Sequence, residues 1–263
     1  KTNDNRGRLL QIAEESVQRT GLKSLSFRTL ADEVGIKSSS VHYHFPEKSD
    51  LARTLIENYS WAEFGARLID TKPTGAGLNV IAEARAEGQP VIFVTGHFGN
   101  HEAPRHVLTR MGYDIGGLYR PMTNAYFNEH YAQTMTAWGG PVFAQGRRGT
   151  MGFARHLRSG GMGTLLFDVA GRDGIPLNFI GRPANTMTSA ADLAIKLGAI
   201  VVPYFGIRQP DGLSFKVEVA APITPASPEK MMQDMTDLLT DKVTDHPEQW
   251  FWVHRRWKMP KGR

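Results

Sequence analysis

Residues 91–102 read VIFVTGHFGNHE. The first five form a continuous apolar run, which is typical of a strand buried on both faces of a parallel sheet. Gly96 follows the run, and glycine allows the chain to turn sharply at the end of such a strand. His97 and Glu102 then stand five positions apart. The stretch therefore predicts a buried strand with acid–base side chains just beyond its carboxyl end.

Strand-like and helix-like patterns alternate on both sides of this stretch, from about residue 80 onward. We expect strands at residues 91–95, 116–119, 141–143, 163–168, 200–205 and 215–219, with helices at 81–87, 102–111, 127–138, 150–158, 189–197 and 228–244. This alternation predicts an α/β domain with a largely parallel mixed sheet and flanking helices. Chemistry collects at the carboxyl ends of strands in such sheets, and both His97 and Asp168 stand at predicted strand ends.

The spacing of His97 and Glu102 sets a geometric condition. Five positions on an ideal helix rotate by about 140°, so the two side chains can meet only if the chain turns between them. Gly96 and Gly99 permit that turn, and Asn100 can cap the helix that carries Glu102. Glu102 would then accept a hydrogen bond from one ring nitrogen of His97. The other nitrogen would take a proton from a substrate hydroxyl group.

Composition excludes some chemistry. The chain has 263 residues, a formal net charge of +5 and no cysteine. Disulfides, thiolate nucleophiles and cysteine-bound zinc are therefore excluded. No stretch approaches the roughly 20 apolar residues of a membrane span, so we expect any membrane contact to be peripheral or to be supplied by a missing segment.

The N-terminal segment shows a different pattern, of several short amphipathic helices. A helix over residues 6–20 should end at Gly21, and a second should begin after Ser26 and end at Gly35. A third, capped by a serine, fits near residues 38–45, and a fourth should follow from about residue 47. Two short helices joined around a glycine are the helix-turn-helix arrangement, whose second helix enters the major groove of DNA.

Residues 1–51 resemble the N-terminal domain of TetR-type transcriptional regulators. The matching residues are Phe27-Arg28-Thr29-Leu30-Ala31, Val34-Gly35-Ile36 and Val41-His42-Tyr43-His44-Phe45-Pro46, with Lys48 and Leu51. The resemblance implies that DNA is touched by Thr29, Lys37, Ser38, Ser39, Tyr43, His44 and Lys48. Residues 26–48, however, carry three basic and three acidic side chains, whereas a DNA-binding face normally has a basic excess. A plain helical bundle is therefore the alternative.

Residues 52–263 form the second predicted domain, which resembles the late acyltransferases of lipid A biosynthesis within the H-x4-D/E glycerolipid acyltransferase superfamily. The resemblance is carried by residues 95–102, Tyr119-Arg120-Pro121-Met122, Asn128, Arg147-Arg148-Gly149, residues 165–168, 179–184 and 202–203, and Trp252-Val253-His254-Arg255-Arg256-Trp257-Lys258. It implies transfer of a fatty acyl chain from acyl carrier protein to a hydroxyl of a lipid A precursor.

The same resemblance implies roles for single residues. His97 would be the general base and Glu102 its orienting acid. Phosphate or carboxylate would be bound by Arg120, Arg147 and Arg148 through charge-assisted contacts, and Asp168 would order an arginine or the acceptor. Backbone N–H groups near Gly99, or an arginine, would stabilise the oxyanion. His101 replaces the usual tryptophan and is either a surface group or a competitor for base or metal roles.

We expect no cofactor and no metal ion. The expected partners are an acyl carrier protein thioester, a lipid A precursor, the cytoplasmic face of the inner membrane as a peripheral surface, and DNA through the N-terminal segment. Two functions remain open: an acyltransferase, and a TetR-type regulator with an acyltransferase-like sensor domain. A natural fusion, an engineered chimera and a misassembled reading frame would all give this order of segments.

Overall fold

The structure, a computed structural model, describes residues 3–21, 24–58, 68, 71–122 and 125–258. These residues separate into two units. The smaller unit comprises the described residues up to Asn58 together with residues 209–214. The larger unit comprises the remaining described residues from Leu68 onward.

The smaller unit contains four helices: α1 (Asn3–Thr20), α2 (Phe27–Val34), α3 (Ser38–His44) and α4 (Lys48–Asn58). Apolar side chains from all four pack into one buried cluster that includes Leu9, Leu30, Val41 and Leu51. The predicted succession of short helices is confirmed, with Ser26 at the N-cap of α2 and Gly35 ending it at φ +76°. A serine cap for α3 is wrong, because Ser38 is already helical and Lys37 occupies the N-cap position.

The larger unit is built on a six-stranded sheet. Its chain contains strands β1 (Val91–Thr95), β2 (Ile115–Tyr119), β3 (Val142–Ala144), β4 (Met162–Leu166), β5 (Ala170–Phe179), β6 (Arg182–Thr186), β7 (Ile200–Arg208) and β8 (Phe215–Val219). The sheet order is β3-β2-β4-β1-β7-β8, in which all neighbours are parallel except β7 and β8. The predicted α/β class with a largely parallel sheet is confirmed.

Helices cover both faces of this sheet. They are α5 (Gly77–Glu87), α6 (Glu102–Arg110), α7 (Ala125–Gly139), α8 (Arg147–Arg158), α9 (Ser189–Leu197) and α10 (Pro228–Asp245), followed by a 3-10 turn at Pro247–Gln249. Alternate residues of β1 point to opposite faces, so Ile92 and Val94 join one buried cluster while Val91 and Phe93 join another. Burial on both faces explains why the β1 sequence is apolar throughout.

No helix in the described part of the chain has the length and apolar character needed to cross a membrane.

Strands β5 and β6 form a separate antiparallel hairpin, which the sequence pattern did not predict. Its tight turn places Ile180 at φ +51° and Gly181 at φ +71°, as a two-residue hairpin turn requires. The β5 sequence, AGRDGIPLNF, contains two glycines and a proline, and its apolar side chains alternate only over the last five positions. Those features hide the strand from a pattern search.

One edge of the sheet collects most of the predicted site residues. Because β3, β2, β4 and β1 are adjacent and parallel, their carboxyl ends lie side by side. Arg147 and Arg148 follow β3, Arg120 follows β2, Asp168 follows β4 and His97 follows β1.

Candidate active site

The turn after β1 is shaped by a glycine. Gly99 has φ +52°, and a Cβ atom at this position would lie 2.1 Å from the carbonyl oxygen of Gly206. A side chain therefore does not fit here. The next residue, Asn100, accepts hydrogen bonds at Oδ1 from the backbone amides of Glu102 and Ala103, at 3.0 and 3.2 Å. The predicted capping of α6 by the Asn100 side chain is confirmed.

His97 forms its side-chain hydrogen bond with Asp168. The ring Nδ1 lies 2.7 Å from Asp168 Oδ1, and the His97 backbone amide donates to Oδ2 at 2.8 Å. The indole Nε1–H of Trp250 also donates to Oδ2, at 2.9 Å. Asp168 is fully buried, so all these contacts form away from solvent.

The ionisation of Asp168 fixes the tautomer of His97. Burial alone would raise the pKa of Asp168, but the hydrogen bonds from the His97 ring, the Trp250 indole and the His97 amide lower it below its ordinary value. An ionised carboxylate can only accept, so Nδ1 of His97 carries the proton and donates it. Nε2 is then the basic nitrogen, and within the described residues no hydrogen bond engages it. The His97 side chain is 29% exposed, so part of the ring is open to solvent.

The predicted hydrogen bond between His97 and Glu102 is wrong. Glu102 Oε2 instead lies 3.3 Å from Nη1 of Arg105, one helical turn along α6. Arg105 is 1% exposed, and it also donates to the carbonyl oxygens of Ile115, Met135 and Gly140. A buried guanidinium group needs a counter-charge, and Glu102 supplies it. Asp168 itself contacts His97 and Trp250, and its predicted role of ordering an arginine or the acceptor stays a prediction.

The backbone amides of Gly99 and Asn100 already have partners. The Gly99 amide donates to the carbonyl oxygen of Gln249 at 2.8 Å, and the Asn100 amide donates to that of Gly206 at 2.9 Å. These two groups hold the turn in place and are not available to an oxyanion. Stabilisation of the oxyanion by another backbone N–H group near Gly99, or by an arginine, stays a prediction.

Two further histidines surround His97. Its ring centroid lies 4.7 Å from that of His254 and 5.7 Å from that of His101. Burial lowers the pKa of both neighbours, and proximity to His97 lowers each further. Both are therefore neutral at pH 7, and they add no positive charge beside the base. Among the described residues, no three histidine or carboxylate side chains assemble into a metal site.

The three predicted anion-binding arginines lie on the surface. Arg120, Arg147 and Arg148 are exposed at the carboxyl edge of the sheet. Arg147 and Arg148 also line a cavity of about 690 Å³. The structure thus places these guanidinium groups on the same edge as His97, in positions open to a ligand.

The predicted DNA-contacting residues belong to the smaller unit. All are exposed except His44, which is half-buried: Thr29, Lys37, Ser38, Ser39, Tyr43, His44 and Lys48. Tyr43 on α3 is 81% exposed. An aromatic side chain so open to solvent contributes little to the core of this unit and is available to a partner.

The sequence did not predict a role in the site for three residues that the structure places there: Trp250, His254 and Arg105. Trp250 reaches Asp168 across 82 positions of sequence, and no local pattern indicates such a contact. Arg105 had a weaker signal, because an arginine three positions after Glu102 on a helix shares its face. His254 stands in a motif that the resemblance had already singled out, without a role.

Comparisons with known proteins match both parts of the chain. Residues 46–259 match the family model of bacterial lipid A biosynthesis acyltransferases, and residues 9–55 match that of bacterial regulatory proteins of the tetR family. A lipid A biosynthesis acyltransferase of Haemophilus influenzae is 26% identical over 180 residues, which cover 67% of this chain and 56% of that relative. The chain thus spans little more than half of the Haemophilus protein.

Two other relatives match different lengths of this chain. The lipid A biosynthesis lauroyltransferase of Escherichia coli strain K12 is 25% identical over 265 residues, which cover 92% of this chain and 85% of that relative. A helix-turn-helix-type transcriptional repressor of Mycobacterium tuberculosis is 32% identical over 59 residues, which cover 22% of this chain and 30% of the repressor.

Proposed function

Since this chain belongs to the family of bacterial lipid A biosynthesis acyltransferases, we propose that it transfers a fatty acyl chain from acyl carrier protein to a hydroxyl group of a lipid A precursor. The observation that carries the proposal is the contact between His97 Nδ1 and Asp168, which leaves Nε2 as the basic nitrogen of a partly exposed ring at the carboxyl edge of the sheet.

The proposed reaction needs one base and no protein nucleophile. Nε2 of His97 removes the proton from the acceptor hydroxyl as its oxygen attacks the thioester carbonyl carbon. The tetrahedral intermediate then collapses, the carbon–sulfur bond breaks, and the departing thiolate takes the proton back from His97. Asp168 stabilises the imidazolium ion that exists between these steps. An arginine at the same edge would balance the oxyanion.

The sequence predicted Glu102 as a catalytic residue, and this proposal gives it a positioning role instead. Glu102 neutralises buried Arg105 and so keeps the first turn of α6 beside the base. Its second oxygen lies 3.7 Å from Nε2 of His101. Glu102 therefore acts on the site through the position of its neighbours, whereas Arg120, Arg147 and Arg148 bind anionic groups of the substrates.

The test incubates the protein with acyl carrier protein thioesters and a lipid A precursor. The acylated product is detected by its mass. We expect the intact chain to add one acyl group, and the His97→Ala variant to be inactive. The matched control is His101→Ala, which removes the adjacent imidazole and leaves the contact between His97 and Asp168. Turnover by the His97→Ala variant at the rate of the unaltered chain would overturn the proposal.

A membrane surface is the expected location of the lipid acceptor. Phe251, Trp252 and Val253 are 47, 51 and 78% exposed, and Arg255 and Lys258 beside them are exposed cations. Exposed aromatic side chains next to basic ones suit the interface of an anionic membrane. The Phe251 amide donates to the His97 carbonyl oxygen at 3.0 Å, so a membrane bound here would present its lipids to the base. We place the protein at the cytoplasmic face of the inner membrane.

A second candidate function, sequence-specific DNA binding by the smaller unit, is favoured by the family match of residues 9–55 and by the exposure of Tyr43. In this alternative the larger unit senses a lipid or acyl carrier protein. Random-site selection should then enrich one operator, with an affinity that falls steeply as salt rises. Selection without enrichment would remove this candidate.

The domain boundary predicted between residues 51 and 52 stays a prediction.

A further inference from the structure

The cavity at the end of β3 has an unusual lining. One continuous strand–turn–helix segment forms it: Val142, Phe143, Ala144, Gln145, Gly146, Arg147, Arg148, Gly149, Met151, Gly152 and Arg155. Three of these side chains are arginines and none is acidic. Val142, Phe143 and Met151 add an apolar part to the wall. The lining thus combines strong positive charge with apolar surface.

The helix geometry directs the cations to one side. Arg148 and Arg155 are seven positions apart on α8, which places them two turns apart on the same face. Gly149 lies on this helix where a Cβ atom would come within 1.8 Å of the Ala144 carbonyl oxygen. Glycine therefore lets α8 pack directly against the end of β3, where all three arginines line the same cavity.

The charges in this cavity are not balanced by the protein. Within the described residues, no carboxylate forms an ion pair with Arg147, Arg148 or Arg155. Three like charges on one concave surface repel one another, and a bound anion would relieve that repulsion. Guanidinium groups match the oxygens of phosphate in geometry and charge. A phosphate monoester, with a charge of about −1.5 to −2 at neutral pH, suits three of them better than a singly charged group.

The position of the cavity fits a substrate that also reaches the base. β3 and β1 are three steps apart in the sheet, so the cavity lies roughly 14 Å from the end of β1 along the same edge. We propose that this cavity binds a phosphate monoester on the sugar of the glycolipid acceptor, with part of a lipid chain against Phe143 and Met151, and that Arg155 is a third phosphate ligand beside Arg147 and Arg148. This inference rests on the proposed function.

The test measures binding directly, without turnover. The probe is the lipid A precursor in detergent micelles, used with its sugar phosphates and after their enzymatic removal. We expect the intact chain to prefer the phosphorylated probe. The Arg148→Gln/Arg155→Gln double variant should lose about 10- to 100-fold in affinity for the phosphorylated probe alone. Arg158→Gln is the matched control, because Arg158 is an exposed arginine on the same helix that does not line the cavity.

A second experiment distinguishes binding of the glycolipid acceptor from binding of the acyl donor. Binding of acyl carrier protein with and without its phosphopantetheine arm is measured on the same variants, since that arm carries a phosphodiester. The proposal is overturned if the double variant weakens binding of the arm-bearing carrier instead of the glycolipid, or if its loss does not exceed that of Arg158→Gln. If the intact chain shows no acyl transfer but the phosphate-dependent binding holds, the proposed function fails and the cavity assignment stands.

Discussion

Nδ1 of His97 lies 2.7 Å from Oδ1 of Asp168, although 71 positions separate the two residues in the sequence. The contact exists because β1 and β4 are parallel neighbours whose last residues, Thr95 and Leu166, stand in register. Each side chain follows the end of its strand, so the sheet brings the pair together. The base and its orienting acid are therefore contributed by two different strands.

Asp168→Asn should abolish most of the acyl transfer. The asparagine amide would favour the wrong tautomer of His97 and could not stabilise its imidazolium form, so we expect kcat to fall about 10³- to 10⁴-fold with little change in KM. Glu102→Gln is the matched control, because Glu102 contacts Arg105 and not His97. Steady-state kinetics on both variants check this. A larger loss of kcat in Glu102→Gln than in Asp168→Asn would contradict the assignment.

Trp250→Phe should reduce activity while it keeps an aromatic ring at this buried position. The change removes the indole donor to Asp168, and we expect a loss of about 1–2 kcal/mol in unfolding free energy with a clear decrease in kcat. Trp257→Phe serves for comparison, since its Nε1–H donates to the Phe179 carbonyl oxygen and not to Asp168. Urea unfolding measures the stability of both variants. Steady-state kinetics show whether kcat falls only in the Trp250→Phe variant. An equal fall in both variants would reduce the role of Trp250 to packing.

Glu102→Gln should lower stability even where it spares activity. The substitution leaves the guanidinium of Arg105 buried with carbonyl partners but no counter-charge, which costs about 1–3 kcal/mol. Glu83→Gln on α5 removes an exposed carboxylate and should change stability little. Chemical denaturation measures both. Stability equal to that of the unaltered chain would show that Arg105 does not depend on Glu102.

The stability of the larger unit should fall at acid pH through Asp168. Its pKa is lowered in the folded chain. The stabilisation is therefore complete above the ordinary aspartate pKa of about 3.9 and is lost as pH falls through the lowered folded value. Unfolding free energies measured along a pH series should decline in that range. The Asp168→Asn variant should be less stable at neutral pH and should show a smaller decline, and an unchanged decline would assign the effect to other carboxylates.

The exposed apolar segment after Trp250 should bind anionic membranes. Replacing Trp252 and Val253 by serine removes apolar surface from the proposed interface, and we expect binding to vesicles containing anionic lipid to weaken about tenfold or more. Met111→Ser is the control, because Met111 is 49% exposed at the far end of α6. Vesicle sedimentation gives the affinities. Equal binding by the unaltered chain, the Trp252/Val253 double variant and the Met111→Ser variant would place the membrane contact elsewhere.

Local patterns in the sequence were sufficient for most of the secondary structure. The apolar run of β1, the glycines that end helices and the side chain of Asn100 act on neighbouring residues, so their effects can be predicted from spacing alone. The hairpin of β5 and β6 was missed because its glycines and proline conceal a strand. The approximate position of the site followed from the rule that chemistry collects at the carboxyl ends of parallel strands.

The partner of His97 could not be predicted in the same way. Glu102 is near in sequence, and a flexible turn would permit the contact. The order of strands places Asp168 beside His97 instead, and buried Arg105 holds Glu102. Helix periods and strand ends are local properties of the chain, whereas the pairing of His97 with buried Asp168 depends on which strands become neighbours, and that order is set by packing across the whole sheet.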